Sequence, residues 1–345
     1  MNKKSIQSLM LLGILLCITV FLAAFVAHYL LTAQPSQTIY DVQLPPSSSE
    51  ENLSAQPIEV SGHPNSSETS SSSEEIDGDQ QPEEQYLEPV VFSFENGTEG
   101  LEELEELILA YIEPLWGSYS IYVKNLDTNE YLLINHQQQT PASLIKLFNV
   151  IYAFERIENG SLELTPQIEQ WLYHSIIISC NNSFNYLLAV FGYGNLVLGA
   201  MNATEFARSS GFEDTIVGGS LYPSDFEIVG FSNLYTSVLD VGHLLENIYR
   251  GTMISEEASR QMLDILLAQQ RLNKIPAGLP EGTVTASKTG EIGAMEHDAA
   301  IVFTDHTDYV IVIMTENASS AIFNIQEISR LVYNYFALTS TTYTE

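Results

Sequence analysis

Residues 32–97 limit what this chain can fold into more than any other stretch. Ser, Glu, Pro and Gln dominate there, as in Ser70-Ser71-Ser72-Ser73-Glu74-Glu75. Such a segment cannot bury enough apolar surface to offset the chain entropy lost on ordering, and its charges repel one another. It is expected to be a disordered tether, which separates a short N-terminal part of the 345 residues from a long C-terminal one. No lysine or arginine occurs between Lys4 and Lys124, and the formal net charge is −32. Acidity of this kind excludes a nucleic-acid partner, because phosphate binding needs clustered bases.

Ahead of the tether, residues 9–31 form an apolar run with no acid or base until His28 near its outer end. It is long enough to span a bilayer, and Lys3 and Lys4 before it should stay in the cytoplasm. The length favours an uncleaved anchor over a signal peptide, whose apolar core is shorter. The expected organisation is a cytoplasmic tail (1–8), a transmembrane signal-anchor helix (9–31), the acidic linker (32–97) and a folded extracellular domain (98–345). That makes a single-pass protein of the cell membrane. Cys17 falls inside the expected membrane helix and Cys180 in the domain beyond it, so no disulfide framework is expected. No Cys/His cluster has zinc spacing, and neither a metal nor an organic cofactor is expected.

Within 98–345, Leu101, Leu104, Leu107, Ile108, Tyr111, Ile112 and Leu115 recur at helical spacing. Tyr119, Ile121 and Val123 alternate with Ser120, Tyr122 and Lys124, and Asp127-Thr128-Asn129 turns the chain into Tyr131–Ile134, so two strands are predicted here. A helix from Pro141 to about Ile157 is apolar nearly all round and belongs in the middle of a domain. Further helices are predicted over 166–178, 183–191, 202–210, 236–250 and 256–269, with an irregular stretch at 211–234. Strands are predicted over 283–288, 299–303 and 309–314, then a closing helix with Ile322, Ile325, Ile328, Val332, Tyr335 and Phe336 on one stripe. Strands at both ends with helices between imply an α+β, two-lobe domain. Its antiparallel five-stranded sheet comes from both ends of the domain, flanked by terminal helices, with a central helical lobe and a cleft where the lobes meet.

Three short motifs fall in order along this domain. Ser143-x-x-Lys146 puts a hydroxyl and an amine one helical turn apart, a nucleophile beside a base. Ser179-Cys180-Asn181 lies between two predicted helices. Lys288-Thr289-Gly290 is placed at the end of a predicted strand. Singly, each residue also has a bland reading: Ser143 as a helix cap, Ser179 and Asn181 as turn residues.

Together, in this order, they resemble the penicillin-recognising serine acyltransferases, the class A β-lactamases and their D-Ala-D-Ala peptidase relatives. The likeness extends to Asn185 after the second motif, to Thr236-Ser237-Val238-Leu239-Asp240 and to His297-Asp298-Ala299-Ala300. The resemblance implies a β-lactamase/DD-peptidase-like fold and an acyl-enzyme on Ser143. Lys146 would act as base and Ser179 would relay a proton to the leaving nitrogen. The substrate-binding set would be Asn181, Thr289, Gly290 and Glu291. In it Asn181 holds a substrate amide, Lys288 and Thr289 hold a carboxylate, and the amides of Ser143 and Glu291 hold the oxyanion. The expected ligands are β-lactams or peptidoglycan peptides.

Two departures bear on activity. Class A enzymes carry a deacylating glutamate in the loop corresponding to 211–234, where this chain offers only Asp225 and Glu227 near the right place. Ser143 and Ser179 are only 36 positions apart, which implies a more open cleft. A peptidase-like or penicillin-binding role is therefore the leading expectation. The alternatives are an efficient β-lactamase with a substitute base, and a non-catalytic wall-binding or sensing module.

Overall fold

The computed structural model describes residues 100–225 and 233–342. The expected tail, membrane helix and linker lie outside these residues, as does Glu227. Among the described residues no single helix is long and apolar enough to cross a membrane.

Helix α1 (Glu102–Ile112) leads into strands β1 (Ser118–Asn125) and β2 (Tyr131–Ile134). A 3-10 turn, Ala142–Leu144, opens α2 (Ile145–Glu158), which is followed by α3 (Pro166–Ile177), α4 (Asn181–Phe191) and α5 (Leu196–Ser209). After a small ribbon of β3 (Ile216–Val217) and β4 (Leu234–Tyr235) come α6 (Val238–Tyr249) and α7 (Glu256–Leu267). The chain closes with β5 (Val284–Ile292), β6 (Met295–Phe303), β7 (Tyr309–Glu316) and α8 (Ala321–Thr342).

The main sheet has the order β2-β1-β7-β6-β5, antiparallel throughout, so strands from both ends of the domain do form one sheet. Alternation along the strands builds two cores. Ile121, Val123, Ile311 and Ile313 pack under Leu104 and Ile108 of α1 and Ile325 and Ile328 of α8. Tyr122, Val310, Val312 and Met314 face the helical lobe, where α2 buries Phe148, Ile151 and Phe154. α6 is fastened to β1 by an ion pair under full burial, with Lys124 Nζ 2.6 Å from Glu246 Oε1.

Two boundaries differ from the sequence reading in ways that matter. α5 begins at Leu196, not 202, because the Asn195 side chain caps it by accepting from the Val197 and Leu198 amides. β5 does not end at Lys288 but runs on to Ile292, and β6 begins at Met295, so Lys288 lies in mid-strand. The polar run Thr289-Gly290-Glu291 interrupts the apolar pattern that marks a buried strand. It belongs to an edge strand, and the gap at Gly290 is steric. A Cβ there would come within 3.1 Å of the Pro141 carbonyl oxygen, 3.2 Å of His297 Cβ and 3.3 Å of Ala142 Cβ.

Candidate active site

The site assembles where the turn before α2, the start of α4 and the edge strand β5 meet. Ser143 stands inside the 3-10 turn rather than in the helix proper, directly after Ala142, whose φ of +46° lies in the left-handed region. Ser179 has a φ of +58° in the break between α3 and α4. Side-chain-bearing residues held there cost about 1–3 kcal/mol each, so the surrounding structure must over-determine them.

Lys146 is fully buried, and its Nζ lies 2.7 Å from Ser143 Oγ. The same nitrogen is 2.7 Å from Asn181 Oδ1, 2.9 Å from the Ser179 carbonyl oxygen and 3.1 Å from Ser179 Oγ. None of these partners is a carboxylate. Burial pushes the Lys146 ammonium down to about 7, with Cys180 opposing the shift and Arg271 adding to it. A neutral amine has two N–H bonds and one lone pair. It can donate to the Asn181 and Ser179 carbonyl oxygens and accept the Ser143 hydroxyl proton, and the geometry here allows all three at once.

Lys288 lies on the other side of Ser179. Its Nζ donates to Ser179 Oγ at 3.0 Å and to the Thr289 carbonyl at 2.6 Å. Burial, and next the nearby Lys146, hold its charge well below the ordinary lysine range. Ser179 Oγ thus bridges two buried amines. Asn181 uses its amide group to hold the Tyr222 carbonyl at 2.7 Å. Asn185 clamps the adjoining Leu221 by both its N–H and its C=O, each at 2.8 Å. The segment 221–222 is thereby pinned beside the lysine.

The structure brings Ser143, Lys146, Ser179, Asn181 and Lys288 together, with Gly290 packed against the turn that carries Ser143. It treats Thr289 and Glu291 differently. Alternation sets their side chains on the opposite face from Lys288. The Thr289 hydroxyl is buried with no hydrogen-bond partner among the described residues. The Glu291 carboxylate pairs with Lys274 at 3.3 Å and Arg271 at 3.7 Å. Asp225 accepts from the Tyr186 hydroxyl at 3.0 Å. Among the described residues no carboxylate hydrogen-bonds to Ser143, Lys146 or Ser179.

Two neighbours escaped the sequence reading, and a third, His297, entered it only as part of a family-like segment with no role. Arg271 reaches from beyond α7 toward the Ile178 carbonyl and Glu291. Lys274 is buried under β5. His297 accepts the Thr315 N–H at Nδ1 (3.1 Å), so its Nε2 carries the proton and donates to the Thr140 carbonyl at 2.9 Å, bracing the turn before Ser143. Cations are scarce, 12 Lys and Arg against 44 Asp and Glu. A basic residue between an amphipathic helix and a strand was the one available signal for Arg271 and Lys274.

Known proteins share this arrangement of elements. The sequence matches the β-lactamase enzyme family over residues 102–170 and 163–336. The chain belongs to that family. Among solved structures it is similar to PBP-A, with 24% identity and a TM-score of 0.62 over 70% of this chain and 98% of that one. An L158E mutant of PBP-A, solved as an acyl-enzyme complex with penicillin G, superposes with a TM-score of 0.61 at 24% identity, over 69% and 97% of the two chains. A β-lactamase from Sphaerobacter thermophilus gives 0.59 at 19% identity, over 69% and 98%. Among curated protein sequences none matches significantly. The domain therefore has the β-lactamase and penicillin-binding serine hydrolase fold.

Proposed function

We propose that this β-lactamase-family domain is acylated at Ser143 by β-lactams or by D-Ala-D-Ala-like peptides of peptidoglycan. The carrying observation is a buried lysine, with no carboxylate partner among the described residues, 2.7 Å from the serine hydroxyl. Ser143 Oγ attacks the substrate carbonyl carbon as its proton passes to Lys146 Nζ. The negative charge on the carbonyl oxygen is met by the amides of Ser143 and Glu291. The C–N bond then breaks, and the leaving nitrogen takes the proton from Lys146 through Ser179 Oγ, leaving an ester on Ser143. Asn181 orients Lys146 and the substrate amide. Arg271 attracts the substrate carboxylate, Lys288 donates to it and is favoured in its charged form once that anion is bound, and Thr289 contributes only once its buried hydroxyl is uncovered.

The ester should persist. Deacylation needs a base beside the acyl group, and the chain pinned next to Lys146 presents Leu221 and Tyr222 instead. Asp225 is engaged by Tyr186. This supports a penicillin-binding or peptidase-like enzyme over an efficient β-lactamase. The PBP-A variant trapped with penicillin G supports covalent capture in this fold. We place the domain outside the cell membrane, held by residues 9–31 and spaced from it by 32–97, on the strength of the sequence pattern alone.

Intact-mass measurement on the full-length protein after exposure to a penicillin tests the reading. The expected result is one stable adduct that disappears in Ser143→Ala. No adduct would leave only a non-catalytic binding module standing. An adduct that clears with steady turnover of a chromogenic cephalosporin would establish a β-lactamase instead.

A further inference from the structure

Beneath the edge strand, Lys274 Nζ is fully buried among four oxygens. It donates to the carbonyls of Gly290 (3.1 Å) and His297 (3.0 Å). It also forms ion pairs with Glu296 Oε2 at 2.7 Å and Glu291 Oε1 at 3.3 Å. The residue after it, Ile275, sits in the core under α8 and receives the Ser329 hydroxyl on its carbonyl. The lysine is therefore anchored from behind and can slide in neither direction.

Which peptide it holds is the significant point. β5 and β6 are joined by the two residues Gly293 and Ala294, with Gly293 at a φ of +60°, and the hairpin closes at Ile292↔Met295. In a two-residue hairpin the closing pair is hydrogen-bonded, and bonded pairs alternate along the ladder. Gly290↔His297 is therefore a bonded pair, and both of its carbonyls point between the strands, where Lys274 meets them. Glu291 falls at a non-bonded position. Because β5 is the outermost strand, the Glu291 N–H points away from β6, off the open edge. The turn before Ser143 packs over this same stretch of β5: a Cβ on Gly290 would meet the Pro141 carbonyl oxygen and Ala142 Cβ. The Gly290 C=O and the Glu291 N–H belong to one planar peptide unit. A cation on the oxygen end fixes the plane and withdraws electron density from the nitrogen end, which strengthens the N–H as a donor.

We propose that Lys274 is a positioning residue for the oxyanion site, holding and polarising the Gly290–Glu291 peptide so that its N–H is aimed at the developing oxyanion. This rests on the acyl-transfer reading of Ser143. It predicts an effect on the chemical step and little on ligand capture, since a preformed donor matters most where charge develops.

The test uses full-length Lys274→Met, with acylation by a penicillin followed over a range of concentrations. The rate constant at saturation should fall about tenfold to a hundredfold while the non-covalent dissociation constant stays within about threefold. The ester carbonyl stretch of the acyl-enzyme, read by infrared difference spectroscopy, should move to higher wavenumber as the donor weakens. If Lys274→Met does not fold, Lys274→Met with Glu296→Gln removes the nearer and less exposed of the two carboxylates left beside it and is put to the same measurements. A folded variant with the wild-type rate constant and stretch would overturn the proposal, as would a loss confined to the dissociation constant. If the wild-type protein gives no Ser143 adduct, the acyl-transfer reading fails and takes this proposal with it. A wild-type adduct with an unaffected Lys274 variant overturns this proposal alone.

Discussion

Lys124 and Lys146 are both buried, one on a strand that faces the helical lobe and one on a helix of that lobe, and they have opposite company. Lys124 has the Glu246 carboxylate at 2.6 and 2.7 Å, and Arg250 Nε shares that carboxylate at 2.9 Å. Lys146 has a serine hydroxyl, an amide oxygen, a backbone carbonyl and a second hydroxyl. Burial alone does not make a lysine basic at neutral pH. A buried lysine set against a carboxylate becomes a fastener, here between α6 and β1. Without one, desolvation drives it toward the neutral amine, and it becomes a proton acceptor. The fold thus contains its own control for the base assigned to Lys146.

Three substitutions can break or sharpen this contrast. The largest effect is expected for Lys146→Met, which should slow acylation of Ser143 by about 10²–10⁴-fold. Its cost in stability should stay at about 1–3 kcal/mol, because what is left behind is unpaired Asn181 and Ser179 oxygens and not an unpaired buried charge. Lys124→Met should do the reverse. Breaking a buried pair typically costs about 3–5 kcal/mol, and the value here should sit near the lower end because Arg250 still holds Glu246. Denaturant unfolding would measure that loss, and acylation per folded molecule should not change.

The smallest effect is the most discriminating. In the wild-type protein the acylation rate should rise with pH through about 7, as Lys146 loses its proton. Asn181→Asp would give Lys146 the carboxylate that Lys124 has. The anion favours the charged amine, so the midpoint should move up by more than about one pH unit and the rate at neutral pH fall by roughly tenfold. A pH–rate profile that keeps its midpoint in the variant would remove Lys146 from the role of base.

Much of the frame was legible in the sequence because alternation and helical stripes are local. Tyr131–Ile134 is found where its pattern puts it, and Ile325, Ile328, Val332 and Phe336 become the buried side of α8. Ser143, Lys146, Ser179 and Lys288 were legible as motifs, whose spacing survives without a view of the fold. The extension of β5 past Lys288 was hidden because an edge strand beside a cleft is polar where a core strand is apolar. Lys274, and the bracing role of His297, were hidden for a different reason. Much of what holds them is backbone carbonyls and amides, which every residue carries, so no side-chain pattern announces them. The burial of Thr289 likewise depends on which face of β5 it takes, and that is fixed by a register the sequence leaves unstated.

The pairing of β1 with β7 carries a consequence for the order of events in the life of the chain. The register runs from Ser118↔Glu316 to Asn125↔Tyr309, so the strand made first is completed by nearly the last one made. Until then β1 and β2 are a lone hairpin, which is marginal in water. Contacts this distant in sequence also form slowly. During synthesis the emerging helices must wait beside an unfinished sheet, and the serine turn, the α4 start and the β5 edge come into register only at the end. A fluorescent penicillin added to growing cells would therefore label molecules whose synthesis and folding are finished and pass over every partial one.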